Sequence, residues 1–258
     1  MNILPYVAID GVKYHYSAKT PGGGEPKQAI LFVHGAGGSH TRWSFQVLQL
    51  GREYLAMAVD LPGHGLSGGS SSDSIESYRE FIRAFSECLL GHPFFLAGHS
   101  MGGAVALDFA LNYPDRLAGL VLMGTGSRLR VLPAIIEAFG SGSVPDNMAG
   151  FMYRPGTPAE VIKAAEEEIK NTGPSVFYSD FTACDKFDVS GRLGEINVPA
   201  LVMTGEKDVL TPVKYGKFLA DNIKNAAFEI IEDAGHMLMI EQPSAVNTLL
   251  LNFLNKNC

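Results

Sequence analysis

A serine at position 100 stands in Gly98-His99-Ser100-Met101-Gly102-Gly103, between the apolar run FFLA and the helix-forming segment GAVALDFAL. The pattern G-x-S-x-G is common by itself; its place between a strand and a helix gives it meaning. In that frame the serine occupies a sharp, strained turn, and small residues two before and two after let strand and helix approach closely. The hydroxyl then lies at a helix N-terminus, where main-chain N–H groups favour a developing anion. The alternative is a plain glycine-rich turn with a serine cap.

A nucleophilic serine needs a base, and the chain has seven histidines: His15, His34, His40, His64, His92, His99 and His236. His15 falls in an N-terminal hairpin and His92 in a turn, so both are expected at the surface. His99 adjoins the serine and is expected to point elsewhere, because neighbours in a sharp turn project differently. His236, in AGHMLM just past the run FEIIED, can reach the face that Ser100 occupies. The base needs an orienting carboxylate, and Asp208 in TGEKDVLTP follows the run ALVM. Glu206, Asp233 and Glu241 are rivals; Asp233 reads as a cap of its own turn, and Gly124-Thr125 after Met123 offers no acid. The order Ser, Asp, His suits acyl transfer: serine attacks, histidine takes and returns the proton, and aspartate holds the imidazole tautomer.

The loop His34-Gly35-Ala36-Gly37-Gly38-Ser39 follows the run AILFV. Its glycines leave main-chain amides unobstructed, so the N–H groups of Ala36 and Met101 are the candidate donors to an oxyanion. A phosphate loop fits poorly, since G-x-x-x-x-G-K-[ST] is absent and 34–39 does not complete G-x-G-x-x-G. No C-x-x-C occurs among Cys88, Cys184 and Cys258, and neither a metal nor a cofactor is expected.

These residues need a scaffold that gathers loops at one rim. Apolar runs at 29–33, 54–59, 94–97, 117–123, 200–203 and 227–231 suit strands buried on both faces, as in a parallel sheet. Two further runs, 5–9 and 12–18, flank Asp10-Gly11 as a hairpin. Helical spacing appears at 75–90, 100–112, 212–223 and 244–254. The alternation predicts an α/β fold with helices on both faces of the sheet. Between 127 and 191 the alternation stops, and segments 132–139, 159–170 and 175–182 read as helices. Thr157-Pro158-Ala159-Glu160 reads there as a cap, a first-turn proline and a capping-box glutamate. The division predicted is 1–126 and 192–258 for the core, with 127–191 as a helical insertion over the ligand-binding face. Glu166-Glu167-Glu168 reads as a solvated helix face.

With 258 residues the chain can bury about 70–75% of its unfolded surface. Its net charge of −7, without a basic cluster, argues against a nucleic-acid partner. The N-terminus lacks the pattern of a signal peptide, and no apolar run reaches the roughly 18 residues of a membrane span. A cytoplasmic protein of open oligomeric state is expected.

Taken together, HGAGGS with Trp43, DLPGHGLS (60–67), GHSMGG, GEKDVLTP and GHMLMIEQP (235–243) resemble the α/β-hydrolase fold superfamily over nearly the whole chain. The branch that looks most similar is that of bacterial capped esterases, enol-lactone hydrolases and carbon–carbon bond hydrolases. The resemblance implies an eight-stranded, mostly parallel sheet flanked by helices, with a helical cap after the sixth strand. It excludes relatives with an aspartate nucleophile, because Ser100 stands there, and gives no positive sign of a hydroxynitrile lyase. Asp60 and His64 match a structural turn. The cap implies a largely apolar pocket, with Leu132, Phe139, Phe151, Phe177 and Phe181 as lining candidates and Trp43 as a packing anchor at its edge. Arg128, Arg130 and Arg154 are candidates to pair with a substrate carboxylate, and Cys184-Asp185 reads as hinge packing. The expected activity is hydrolysis of an ester or lactone of a small molecule through an acyl-enzyme. The alternatives are cleavage of a carbon–carbon bond in a diketone, and a small-molecule receptor with little turnover.

Overall fold

The computed structural model describes residues 5–91 and 93–258. His92, expected in a surface turn, lies outside them. The chain opens with β1 (Tyr6–Ile9) and β2 (Val12–Lys19), joined at Asp10 and Gly11, whose φ values of 50° and 81° are those of a tight hairpin. There follow β3 (Ala29–Val33), α1 (Ser44–Leu50), β4 (Leu55–Val59), α2 (Ile75–Leu89), β5 (Phe94–His99), α3 (Met101–Asn112) and β6 (Leu117–Met123). After α4 (Pro133–Gly140), α5 (Ala159–Thr172) and α6 (Pro174–Lys186), the chain returns to the sheet. It ends with β7 (Ala200–Gly205), α7 (Val213–Asn222), β8 (Ala226–Ile231), α8 (Leu238–Glu241) and α9 (Pro243–Asn257). Boundaries differ from the sequence expectation by at most four residues, as helix ends and strand ends do, and β3 and β6 match it at both ends.

The strands form one sheet in the order β1-β2-β4-β3-β5-β6-β7-β8. The β1–β2 and β2–β4 pairs are antiparallel and the rest are parallel. The predicted α/β class with a mostly parallel sheet is therefore the one observed. Side chains alternate between two cores. Leu31, Val33, Phe94 and Leu96 face α2 and α3, while Ile30, Phe32, Phe95 and Ala97 face α1 and α9. Burial on both faces is why these strands read as continuous apolar runs. Strand order reverses between β3 and β5, the place where such sheets gather ligands beyond their strand ends.

No strand occurs among α4, α5 and α6. The segment enters and leaves through a narrow neck, where Val189 N–H donates to Ser127 O, the Ser127 and Ser190 hydroxyls pair, and the backbones of Arg128 and Asp188 pair as an isolated antiparallel β-bridge. The expected cap at Thr157 does not form. Its hydroxyl donates to Arg154 O at 2.9 Å, Pro158 takes the extended cap position and the helix begins at Ala159. Glu168 lies on the solvated helix face, half exposed, and pairs from there at 2.6 Å with Arg42, which is buried. Among the described residues no helix is long and apolar enough to cross a membrane.

His15 is buried, contrary to its expected surface position, because β2 turns it toward Asp60. Asp60, just past β4, accepts from His15 Nδ1 (2.8 Å), His40 N (2.6 Å), His40 Nδ1 (2.9 Å) and Leu66 N (3.0 Å). Burial works to raise its pKa, but the hydrogen bonds from His40 and Leu66 outweigh it and bring it to about 2. A carboxyl held below its unfolded value stabilises the fold above that value and stops doing so as pH falls through the folded one. Asp60 should therefore contribute about 2 kcal/mol near neutrality, lost between its ordinary 3.8 and about 2. Urea midpoints of the wild type and Asp60→Asn should converge over that interval; a constant gap would contradict this role.

Candidate active site

Ser100 lies between the last residue of β5 and the first of α3, with φ 53° and ψ −117°. Such a backbone conformation is costly for a residue with a side chain and persists only where its surroundings enforce it. Here they do. Ser100 N–H donates to Met123 O on the next strand, and Thr125 Oγ1 donates to Ser100 O. A Cβ on Gly98 would overlap the Gly102 carbonyl, and one on Gly102 would overlap the carbonyls of Val33 and His34. The G-x-S-x-G spacing is thus a close-approach requirement between β5, α3 and the end of β3.

Asp208 follows β7 and His236 follows β8, and the two meet: His236 Nδ1 donates to Asp208 Oδ2 at 2.9 Å, with both side chains buried. Thr211 completes the carboxylate shell. Its hydroxyl donates to Oδ2 at 2.7 Å, while the main-chain amides of Leu210 and Thr211 donate to Oδ1. Burial pushes Asp208 up, but the His236 ring and the hydrogen bonds from His236 and Thr211 hold it below its ordinary value. The carboxylate stays ionised and fixes the tautomer that leaves Nε2 free to accept a proton. His99 donates from Nε2 to His236 O at 2.9 Å, with ring centroids 4.6 Å apart. Burial, then the neighbouring His236, push His99 well below the usual imidazole range, so it serves as a neutral strut.

The acid–base link is therefore closed, whereas Ser100 Oγ makes no hydrogen bond to His236 among the described residues. Catalytic hydrogen bonds often tighten only when substrate binds. The glycine loop runs past the serine: a Cβ on Gly35 would stand 3.1 Å from Ser100 Cβ. A turn closed by Gly38 N–H to Gly35 O leaves Ala36 N–H without an acceptor among the described residues, as is Met101 N–H at the start of α3. Both expected oxyanion donors are thus uncommitted.

The rival acids are occupied elsewhere. Glu206 accepts from Asp233 N, Asp233 pairs with Lys207 and Arg154, and Glu241 accepts from Gly235 N and Arg154 N, each at 2.8 Å. Phe139, Phe177 and Phe181 form one aromatic cluster with centroids 5.0–5.8 Å apart. Leu132 and Phe151 stand outside it, 72% and 50% exposed, at the start of α4 and in a short 3₁₀ turn. Trp43 is buried against Phe32 and edge-on to His99. Arg130 pairs with Asp188 and Asp185 O, and Arg128 has no ion pair among the described residues. Cys184 is buried, and the Asp185 carboxylate takes Val131 N–H at the neck.

Two participants escaped the sequence reading. Thr211 is one. The other is Asp180 on α6, wholly buried, which accepts from Tyr78 OH (2.6 Å), Gly37 N (2.8 Å) and His64 Nε2 (2.8 Å). His64 Nδ1 faces Pro62 O at 3.0 Å, so both ring nitrogens meet acceptors, an arrangement that suits the protonated ring. Burial works against that charge, but the bond to Asp180 prevails and raises the His64 pKa. His15, His40 and Asp60 are of metal-ligating types, yet the Asp60 carboxylate is already saturated by four donors, which makes the cluster a hydrogen-bond node.

Residues 30–249 match the model of a family described as the alpha/beta hydrolase family. A solved structure of a thermophilic esterase is 32% identical, with a TM-score of 0.85 over 98% of this chain and 97% of its own. The enol-lactonase from Burkholderia xenovorans LB400 shares the fold at 23% identity, with a TM-score of 0.87 over 97% of this chain and 100% of its own. A 2-hydroxy-6-oxononadienedioate/2-hydroxy-6-oxononatrienedioate hydrolase from Burkholderia vietnamiensis is 29% identical over 278 residues, 97% of this chain and 94% of its own.

The close approach at the serine turn is testable without an assay. Gly98→Ala should destabilise by about 1–3 kcal/mol or more, as overpacking does. Gly23→Ala, where an added Cβ meets nothing within 4 Å, should change stability by less than about 0.5 kcal/mol. Equal melting temperatures for the two variants would contradict the packing described.

Proposed function

The chain belongs to the alpha/beta hydrolase family, and from that premise we propose that it is a serine hydrolase cleaving a carboxylic ester or lactone through an acyl-enzyme. One observation carries the proposal: an Asp208–His236 pair is formed on the loops after β7 and β8, beyond the same sheet edge as the strained Ser100 turn. Ser100 Oγ attacks the acyl carbon while His236 Nε2 takes its proton. The N–H groups of Ala36 and Met101 receive the oxyanion, and each such donor is worth about 2.7–4 kcal/mol in the transition state. His236 then protonates the leaving alkoxide. Water, deprotonated by the same ring, attacks the acyl-enzyme and releases the acid, restoring Ser100. No metal or cofactor enters these steps.

In this proposal residues 127–191 act as a cap and contribute Phe139, Phe177 and Phe181 to an apolar wall, which favours an apolar acyl or alcohol group. The 32% identical esterase supports the ester. The relative named for an oxononadienedioate substrate supports a second proposal, carbon–carbon cleavage of a diketone by the same groups.

Short p-nitrophenyl esters should give turnover, and a fluorophosphonate should label Ser100. Ser100→Ala and His236→Ala should each lower kcat by about 10⁴-fold or more. Thr211→Val removes a hydrogen bond to the ionised Asp208 and should cost about tenfold. Absence of both labelling and turnover across esters, lactones, thioesters and diketones would favour a receptor. Turnover of diketones alone would favour the second proposal.

A further inference from the structure

The glycine turn carrying the oxyanion donor is held from outside the core. Its Gly37 N–H donates to Asp180 Oδ2 on α6, its Gly37 O accepts from Thr172 Oγ1 at the end of α5 (3.1 Å), and the Phe177 ring lies directly against the Gly37 Cα. The turn is closed by Gly38 N–H to Gly35 O, so its two middle amides point outward. One of them, on Gly37, is taken by Asp180. The other, on Ala36, is the uncommitted donor.

We propose that Asp180 is a positioning residue: by fixing the Gly37 amide it sets the direction of the adjacent Ala36 N–H, so that the helical insertion, and not the sheet alone, shapes the oxyanion site. This rests on the serine-hydrolase reading above. A bare carboxylate beside an oxyanion site would repel the developing charge. Asp180 avoids this because His64, donating from Nε2 while Nδ1 donates to Pro62 O, supplies a balancing positive charge in the same buried cluster. Tyr78 OH takes the remaining oxygen of Asp180, itself accepting from Ser72 N, so the carboxylate is locked from α2 as well. Misplacement of a catalytic donor by about 1 Å typically costs about 100-fold in rate, so a modest loosening of this turn is enough to be measured.

The test compares the wild type, Asp180→Ala, Asp180→Asn and Thr172→Val on a p-nitrophenyl ester below the melting temperature of each, with circular dichroism to confirm folding. Asp180→Ala should lose at least about tenfold in kcat with KM changed by less than about twofold. Asp180→Asn keeps an acceptor for Gly37 N–H and should recover part of that loss. Thr172→Val removes only the second hold on Gly37 and should cost a few-fold. A trifluoromethyl ketone, whose adduct on Ser100 places an oxyanion in the site, should weaken in proportion to kcat/KM across the series. A folded Asp180→Ala with wild-type kcat, or a loss confined to KM, would overturn the proposal. If Asp180→Ala does not fold, Thr172→Val and Asp180→Asn decide it: wild-type kcat and wild-type ketone affinity in both would overturn it. A wild type inactive on every ester would instead refute the underlying serine-hydrolase reading.

Discussion

The backbone of Ser100 is the constraint around which this molecule is arranged. A side-chain-bearing residue at φ 53° costs about 1–3 kcal/mol and is kept there only by over-determined surroundings. The hydrogen bond to Met123 O, the bond from Thr125 Oγ1 and the bare main-chain approach at Gly98 and Gly102 supply that enforcement. Because the serine is immobile, every other group must be brought to it. Parallel strands do this economically: β3, β5, β7 and β8 end at one edge, so the segments that follow them share a rim. Ala36, Ser100, Asp208 and His236 lie within five residues of those four strand ends.

That logic is also why so much was legible in the sequence. A strand buried on both faces advertises itself as an apolar run, and the chemistry-bearing residue comes just after it, as in ALVM followed by Asp208 and FEII followed by His236. What could not be read were contacts whose partner lies far along the chain. His15 looked like a hairpin residue because nothing in VKYHYSAK announces Asp60, 45 positions later. Thr157 carries the spacing of a helix cap, but its hydroxyl had a nearer acceptor in Arg154 O. Asp180 did leave a trace. In α6 the residues Phe177, Asp180, Phe181 and Cys184 follow helical spacing, and three of the four are apolar. A lone acid on such a stripe must be paired inside, which sequence alone signals without naming the partner.

Two carboxylates give the helical insertion a hold on the loops that carry Ala36 and His236. Asp180 reaches from α6 to the glycine loop, and Glu241 bridges Gly235 N, beside His236, to Arg154 N in the insertion. The second contact is reinforced by Met237 N–H donating to Met152 O. Burial raises the pKa of Glu241, while its two amide partners work against that rise. Buried polar contacts of this kind add little net stability, since desolvation offsets the attraction. What they supply is uniqueness of arrangement: an amide with one satisfactory acceptor has one satisfactory orientation. The Asp208 shell follows the same rule, with four donors holding one carboxylate at one angle to His236.

The placement of cations bears on what such a site would accept. If the insertion forms the proposed apolar wall, a dianionic diketone would bring two charges beside Phe139, Phe177 and Phe181, which offer no counter-charge. Of the three arginines that could do so, Arg154 is drawn to Asp233 and Arg130 to Asp188, both toward carboxylates at the surface. Arg128 is free of ion pairs among the described residues, but it lines, with Ser127, Ser190, Lys214, Tyr215 and Phe218, a cavity of about 380 Å³ that none of Ser100, Asp208 and His236 borders. A second cavity, of about 340 Å³, is bordered by Arg42, whose charge is matched by Glu168, and also by none of the three. A carboxylate entering beside Phe139, Phe177 and Phe181 would lose its hydration without a counter-charge, at a cost of several kcal/mol. An uncharged ester or lactone incurs no such penalty, and the apolar cluster rewards it for every methylene buried. Under the proposed function, the electrostatics of the insertion thus favour ester or lactone cleavage over cleavage of a charged diketone.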